Sequence, residues 1–171
     1  MAFEHVQATV DVKLKRLGIR LKCKVWRLAK GESWSCSKDC KRKHKHIIHI
    51  NPQDVNSRML VAQSLQHLLL HEYGHIFFCK YVRKKKDAKL KELFGDVDKK
   101  YKRDMKKKFI TPDYISTYAQ VHPEDNFCEV FAIYVHFEGD MKEIRKFLKQ
   151  KKKSGKVLKQ FIWMDKFVKK K

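Results

Sequence analysis

The stretch HLLLHEYGHIFF, residues 67–78, carries most of the information about fold and function. It is apolar except for its histidines and one glutamate, and it contains the pattern H-E-x-x-H at His71, Glu72 and His75. On an α-helix, residues four apart lie about 40° apart around the axis and about 6 Å along it. His71 and His75 therefore share a face that can bind one metal ion, and Glu72 lies beside that ion. This pattern is typical of zinc hydrolases, where the glutamate takes a proton from a metal-bound water.

Lysine and arginine are frequent in the chain but are missing from the two segments that combine acids with histidines. The 171 residues include 41 Lys and Arg against 19 Asp and Glu, a net charge of +22. Residues 59–79 and 109–141 contain neither Lys nor Arg, yet they hold five of the nine histidines and the acids Glu72, Glu124, Asp125 and Glu129. A buried core would explain the missing lysines but not these polar residues. The combination predicts a buried cation site.

The second segment offers a third ligand, which a catalytic zinc ion needs beside an open position. If Pro123 begins a helix, Asp125 and Glu129 lie four residues apart and share a face. Asp125 can then bind the metal while Glu129 holds a ligand histidine by a hydrogen bond, as is common around metal-bound imidazoles. His122 is a competing third ligand, although it precedes the proline and is less constrained.

Three segments make the chain resemble a known family. They are HLLLHEYGHIFF at 67–78, LFGD at 93–96 and ISTYAQVHPEDNFCEVFAIYVHF at 115–137. Together they resemble zincins of the gluzincin type, and more closely a family of zinc-binding metallopeptidases similar to the catalytic domain of anthrax lethal factor. The resemblance covers about half of the chain. It implies a zincin-like fold, a bound Zn²⁺ and hydrolysis of peptide bonds.

The resemblance also implies roles for residues around the second helix. In this family a tyrosine seven residues before the acidic ligand helps to stabilise the oxyanion, and a second acid follows the ligand by four residues. Tyr118, Asp125 and Glu129 have this spacing. The family usually has Glu where this chain has Asp125, which is one methylene shorter. Either the second helix approaches more closely, or Glu124 or Glu129 turns inward instead.

The whole sequence predicts one α+β domain over residues 1–171, with a small twisted N-terminal sheet packed on the H-E-x-x-H helix. Apolar residues three or four apart predict an N-terminal helix that ends near Gly18. Alternation predicts a strand in IRLKCKV at 19–25. A second strand is predicted in HIIHI at 46–50. The resemblance to zincins implies that this strand forms the upper edge of the substrate cleft, where an extended peptide could add to it by main-chain hydrogen bonds.

The rest of the chain is predicted to be mostly helical. The active-site helix is expected to run from about residue 54 to 82, with Asp54 or Asn56 as its cap. A charge-dense surface helix should follow it, then an irregular connection, then the helix that begins at Pro123. One or two Lys-rich amphipathic helices are predicted at about 140–171.

These observations favour a zinc metalloendopeptidase that acts on a protein or peptide. Glu72 would be its general base, and Tyr118 its oxyanion donor, as the resemblance implies. One alternative is a DNA-associated protease of the SprT-like kind. Such proteases usually have a third histidine as metal ligand, and His122 would then be the third ligand here. The other is a catalytically inactive, zinc-stabilised nucleic-acid-binding protein, which would need neither Glu72 nor Tyr118.

Composition adds expectations about partners and compartment. The positive charge predicts weak, non-specific binding of nucleic acid through the Lys-rich surface. Without a signal peptide or a membrane span in the sequence, we expect a cytoplasmic protein that has no membrane partner. Five scattered cysteines favour a reducing compartment, and Cys79 and Cys128 are expected to pack as small apolar residues. Cys36 and Cys40 with nearby histidines are a weaker candidate for a second metal site.

Overall fold

The computed structural model describes residues 3–30, 33–35, 46–51, 64–83, 88–100 and 111–170. The elements in chain order are α1 (Phe3–Arg16), β1 (Cys23–Arg27), β2 (Trp34–Ser35), β3 (His46–Ile50), α2 (Leu65–Phe77), α3 (Ala88–Phe94), α4 (Pro123–His136), α5 (Met141–Gln150) and α6 (Gly155–Lys169). A π-helical turn, Phe78–Val82, extends α2, and a 3₁₀ turn, Tyr118–Gln120, precedes α4. The small sheet among many helices confirms the α+β class.

Helix α1 forms as its apolar spacing predicts, because the residues that recur every three or four positions are its buried ones. They are Phe3, Val6, Val10 and Leu14. The helix ends before Gly18, whose φ of +67° is readily adopted only by glycine. The amide of Ile19, the next residue, donates to the Leu14 carbonyl at 2.9 Å and so closes the last turn.

The three strands form one sheet in the order β1-β3-β2. Strand β3 runs parallel to β1 over its full length and antiparallel to β2 at Ile48 and His49. The predicted segment 46–50 is therefore correct as a strand, but among the described strands it is the central one and not an open edge to which a peptide could add. Local alternation indicates a strand without indicating its neighbours, which are set by non-local pairing.

Helix α2 is shorter than predicted, because it begins at Leu65 rather than near residue 54. Ser64 is its cap: the backbone there is extended, and the hydroxyl accepts a hydrogen bond from the His67 amide at 3.3 Å. The proposed caps Asp54 and Asn56 lie outside the described residues, but neither can cap a helix that starts at Leu65.

Helices α2 and α4 cross at the centre of the fold, and an aromatic core surrounds the crossing. Phe77 of α2 packs against Phe127 and Phe131 of α4, with ring centroids 6.3 and 4.7 Å apart. Trp163 and Phe167 of α6 cover this group from the C-terminal side. Burial of these rings fixes the relative position of α2 and α4, which carry the polar residues of the predicted site.

The Lys-rich C-terminal segment forms two helices, as predicted. The Asp140 carboxylate caps α5 by accepting from the amides of Lys142 and Glu143 at 2.8 and 3.2 Å. Helix α6 buries Val157, Phe161 and Met164 against the core. Within the described ranges, none of the helices is both long and apolar enough to cross a membrane.

The cysteines differ from expectation at one position. Cys23 and Cys128 are free thiols, but Cys79 is disulfide-bonded. Cys79 is 4% exposed and so packs in the core as expected, but it also forms a bond that the sequence did not predict. Sequence spacing could not show this bond, because disulfide geometry depends on which distant segments meet. Cys36 and Cys40, the candidates for a second metal site, lie outside the described residues.

Candidate metal centre

Helix α2 presents its two histidines from one buried face. The rings of His71 and His75 lie with their centroids 5.0 Å apart, roughly perpendicular to each other. His71 is 1% exposed and Glu72 is 6% exposed, so both are buried in a largely apolar helix. The helical spacing inferred from the sequence is therefore realised: the His71 side chain is buried, and the His75 side chain is 17% exposed.

Helix α4 brings Asp125 to the same place. Pro123 occupies the first turn, so the helix begins where the sequence predicts. The Oδ1 atom of Asp125 lies 3.6 Å from Nε2 of His75 and 3.9 Å from Nε2 of His71. One carboxylate oxygen of α4 thus lies within 3.9 Å of an imidazole nitrogen of each of the two α2 histidines.

The opposite nitrogen of each imidazole contacts another carboxylate of α4. Nδ1 of His71 lies 2.7 Å from Oε1 of Glu129, and Nδ1 of His75 lies 2.9 Å from Oε1 of Glu124. In the neutral imidazole, donation from Nδ1–H to a carboxylate leaves the lone pair on Nε2. Glu124 and Glu129 therefore contact the side of each imidazole that is opposite the Nε2 atom nearest Asp125.

His67 extends this arrangement by one turn of α2. Its Nε2 atom lies 3.2 Å from the same Oε1 atom of Glu129 that contacts His71. Burial alone would raise the pKa of Glu129, but the contacts with both histidines outweigh burial and hold this pKa well below its usual range. Conversely, burial would lower the pKa of His67, and the Glu129 charge outweighs it and raises that pKa.

The electrostatics around His75 also favour positive charge. Burial would lower the pKa of His75, but Cys128, Glu124 and Glu72 outweigh burial and raise this pKa well above its ordinary value. Burial would likewise raise the pKa of Glu124, but the hydrogen bond to His75 and the positive charges of His75, Arg83 and His122 together outweigh burial and lower this pKa. The buried carboxylates thus strongly stabilise positive charge at this point. That charge can be carried by protons on the imidazoles or by a metal ion.

Tyr118 lies beside the histidines, whereas His122 is directed elsewhere. The Tyr118 ring, in the 3₁₀ turn before α4, meets the His71 ring edge-on with centroids 5.3 Å apart. His122 caps α4: its Nδ1 accepts from the Glu124 amide at 3.2 Å, and its Nε2 donates to the Lys99 carbonyl at 2.9 Å. Both ring nitrogens of His122 are therefore used in holding the start of the helix.

A family described as "Putative zinc-binding metallo-peptidase" matches residues 59–168, which include α2 and α4. The chain belongs to this family. Proteins of Mycobacterium tuberculosis and Mycobacterium bovis, each described as an "Uncharacterized protein", are 29% identical to it over 75 residues. That alignment covers 39% of this chain and 22% of each relative, so the chain spans about a fifth of their length. No solved structure matches the chain.

The converging atoms fit the zinc ion that the name of this zinc-binding metallopeptidase family implies. Zinc binds imidazole nitrogen and carboxylate oxygen at about 2.0–2.2 Å, so two ligand atoms of a tetrahedral site lie about 3.4 Å apart. The distances of 3.6 and 3.9 Å from Asp125 to the two histidines exceed this spacing by about 0.5 Å or less. Only a small adjustment would bring these donors to a shared metal ion.

Sequence reasoning missed one residue of this site, Cys128. Its sulfur and one ring nitrogen from each of His71 and His75 lie within 4.8 Å of one another, a group that could hold a metal ion. Cys128 follows Asp125 by three residues, so helical periodicity places both on the face toward α2. This spacing could have indicated Cys128 as a site residue, but a small residue that only packs in the core has the same spacing. Burial raises the pKa of this thiol to about 12.

Proposed function

We propose that the protein is a zinc-dependent peptidase in which His71, His75 and Asp125 bind the metal and a water molecule takes the fourth position. The observation that carries the proposal is the convergence of both histidine Nε2 atoms on Oδ1 of Asp125. Three protein ligands with one open position are the usual arrangement of catalytic zinc. Membership of the zinc-binding metallopeptidase family supports the same metal and reaction class.

The chain's own residues would perform the proton transfers. Bound zinc would supply a water molecule of lowered pKa and polarise the substrate carbonyl. Glu72 is buried next to His71 but is not one of the proposed ligands, so its carboxylate would take the proton from that water and pass it to the leaving amine. The Tyr118 hydroxyl would donate to the developing oxyanion, which is consistent with its ring lying beside His71.

The finer assignment to gluzincin-type zincins is part of this proposal. It is supported by an acidic ligand on a second helix and by Glu129, four residues later, in contact with His71. The likeness to the catalytic domain of anthrax lethal factor stays a prediction, because no solved structure matches the chain.

The two alternatives receive less support. A SprT-like protease would take a third histidine as ligand, but both nitrogens of His122, the candidate, contact the start of α4. A zinc-stabilised protein without activity would have no use for Glu72 beside the metal or for Tyr118. Binding of nucleic acid, in contrast, is compatible with peptidase activity.

The decisive variant is Glu72→Gln, because the amide is nearly isosteric but cannot accept the proton. We expect zinc content to stay at about one ion per chain while cleavage of a peptide library falls about 10²- to 10⁴-fold. Glu92→Gln, on the exposed surface of α3, is the matched control and should retain full activity. Equal cleavage by Glu72→Gln and wild type would refute the mechanism, and full zinc content in a His71→Ala/His75→Ala variant would refute the metal site.

A further inference from the structure

The segment leading into and along β1 has an unusual outer face. Exposure alternates from Arg20 to Trp26, so that Arg20, Lys22, Lys24 and Trp26 are all exposed while the residues between them are partly buried. We refer to these four residues as the basic face. Trp26 is 54% exposed, and Val12 is the only other large hydrophobic residue of the described chain with comparable exposure.

The basic face is turned away from the proposed metal centre. In the sheet register, Lys24 lies beside Ile47 and Trp26 beside His49. The intervening residues of β3, Ile48 and Ile50, point the other way and are fully buried in the core that includes α2. Because side chains alternate between the two sides of a sheet, a partner on the basic face would leave the metal centre accessible.

The cations of the basic face are not neutralised by ion pairs, unlike several others on the surface. Lys13 and Arg16 are paired with Glu138, and Lys91 is paired with Asp96. Within the described ranges, the basic face makes no ion pair, and the sequence from 19 to 30 contains no acid. Lys80 adds a further cation, since its Nζ atom donates to the Arg20 carbonyl at 3.0 Å.

Protection of a sheet edge explains only part of this pattern. In the sheet formed by the described strands, β1 is an outer strand, and lysines on such strands discourage pairing with other chains. An exposed tryptophan has the opposite effect, because it offers a large apolar surface for association. Trp26 therefore needs a different explanation from the lysines beside it.

We propose that the basic face binds single-stranded nucleic acid. Its cations would contact consecutive phosphates, and the Trp26 ring would stack on a base, which is the combination used by proteins that bind single strands without sequence preference. Charge complementarity favours this partner, because three cations beside Trp26 have no ion-pair partner among the described residues and the net charge is +22. An acidic peptide could pair with the cations but would gain little from the exposed ring.

The proposal is tested with the full chain and a fluorescently labelled oligo(dT), followed by anisotropy. Stacking on one base contributes about 1–3 kcal/mol, so Trp26→Ala should weaken binding roughly 5- to 150-fold. Replacing Lys22 and Lys24 by Gln should reduce the slope of log K against log salt by about 1.4, because each phosphate that a lysine neutralises on a single strand adds about 0.7 to that slope. The matched control replaces Lys142 and Lys149, both exposed on α5, by Gln. It should reduce the affinity and the salt slope less than the Lys22/Lys24 replacement does.

The outcomes separate this proposal from general charge attraction and from the peptidase proposal. Trp26 is exposed, so Trp26→Ala should fold normally, and unchanged zinc content and urea unfolding verify this. If Trp26→Ala binds oligo(dT) like wild type, or if the α5 control weakens binding as much as the Lys22/Lys24 pair, the proposal is overturned. It is equally overturned if duplex DNA, or polyglutamate at equal charge, binds as tightly as oligo(dT).

Discussion

A methyl group at Gly74 would test how closely α2 and α4 must approach. A Cβ atom there would lie 3.0 Å from Cα, 3.1 Å from Cβ and 3.3 Å from Sγ of Cys128. Ordinary contacts of this kind lie at 3.4–4 Å, so the helices would have to separate by about 0.4 Å or more. The nearest atom belongs to the backbone of α4, so rotation of a side chain cannot relieve the contact.

The expected cost follows from two opposing effects. Overpacking a core costs about 1–3 kcal/mol, whereas replacing Gly by Ala inside a helix stabilises by about 0.5–1 kcal/mol. We expect Gly74→Ala to lower the free energy of unfolding by about 1–2 kcal/mol, or roughly 2–8 °C in Tm for a chain of this length. Since His71 and His75 lie on one helix and Asp125 on the other, zinc affinity should also fall, by about tenfold or more.

Urea unfolding followed by circular dichroism measures the stability, and competition with a chromophoric chelator measures zinc affinity. Gly155→Ala is the matched control, because Gly155 is the first residue of α6 and a Cβ there meets no atom within 4 Å. The control should be neutral or slightly stabilised. If Gly74→Ala is as stable as Gly155→Ala and binds zinc as tightly as wild type, the close helix crossing does not hold the site together.

Two further measurements address the metal. The raised pKa values of His67 and His75 stabilise the zinc-free protein fully below the ordinary imidazole pKa of about 6.5, and this stability is lost as pH rises through the raised values. Zinc must displace the proton from His75, so zinc affinity by calorimetry should rise with pH, and a flat profile between about pH 6 and 8 would contradict this. With Asp125 as the third ligand, the Cys128 thiol does not coordinate the metal, so cobalt-loaded protein should lack a thiolate charge-transfer band. A band that Cys128→Ser removes and Cys23→Ser retains would move the third ligand from Asp125 to Cys128.

The elements that were predicted correctly are those whose signals are local and agree with each other. Helix α4 begins at Pro123 because proline fits the first turn, and the apolar residues that follow have helical spacing. The start of α2 was missed because Asp54, Asn56 and Ser64 are all good caps by residue type. Which one caps the helix depends on the backbone around it, and the observed cap is Ser64.

Non-local pairing limited the prediction in other places. The segment 46–50 was recognised as a strand, but its central position depends on β1 and β2 pairing with it from both sides. Likewise, periodicity placed Glu124 on the second helix without showing that its carboxylate contacts Nδ1 of His75. The contact depends on how α2 and α4 cross, and periodicity along one helix carries no information about that crossing.

The crossing accounts for the short acidic residue at position 125. A side chain one methylene shorter than glutamate reaches a shared metal only if its helix lies closer to the histidines. Gly74, between His71 and His75, has no side chain, and the α4 residue that faces it is the small Cys128. The two helices can therefore approach until the Asp125 carboxylate comes within 3.9 Å of both Nε2 atoms. Gly74 and Cys128 thus allow the close approach of the helices that the short Asp125 side chain requires.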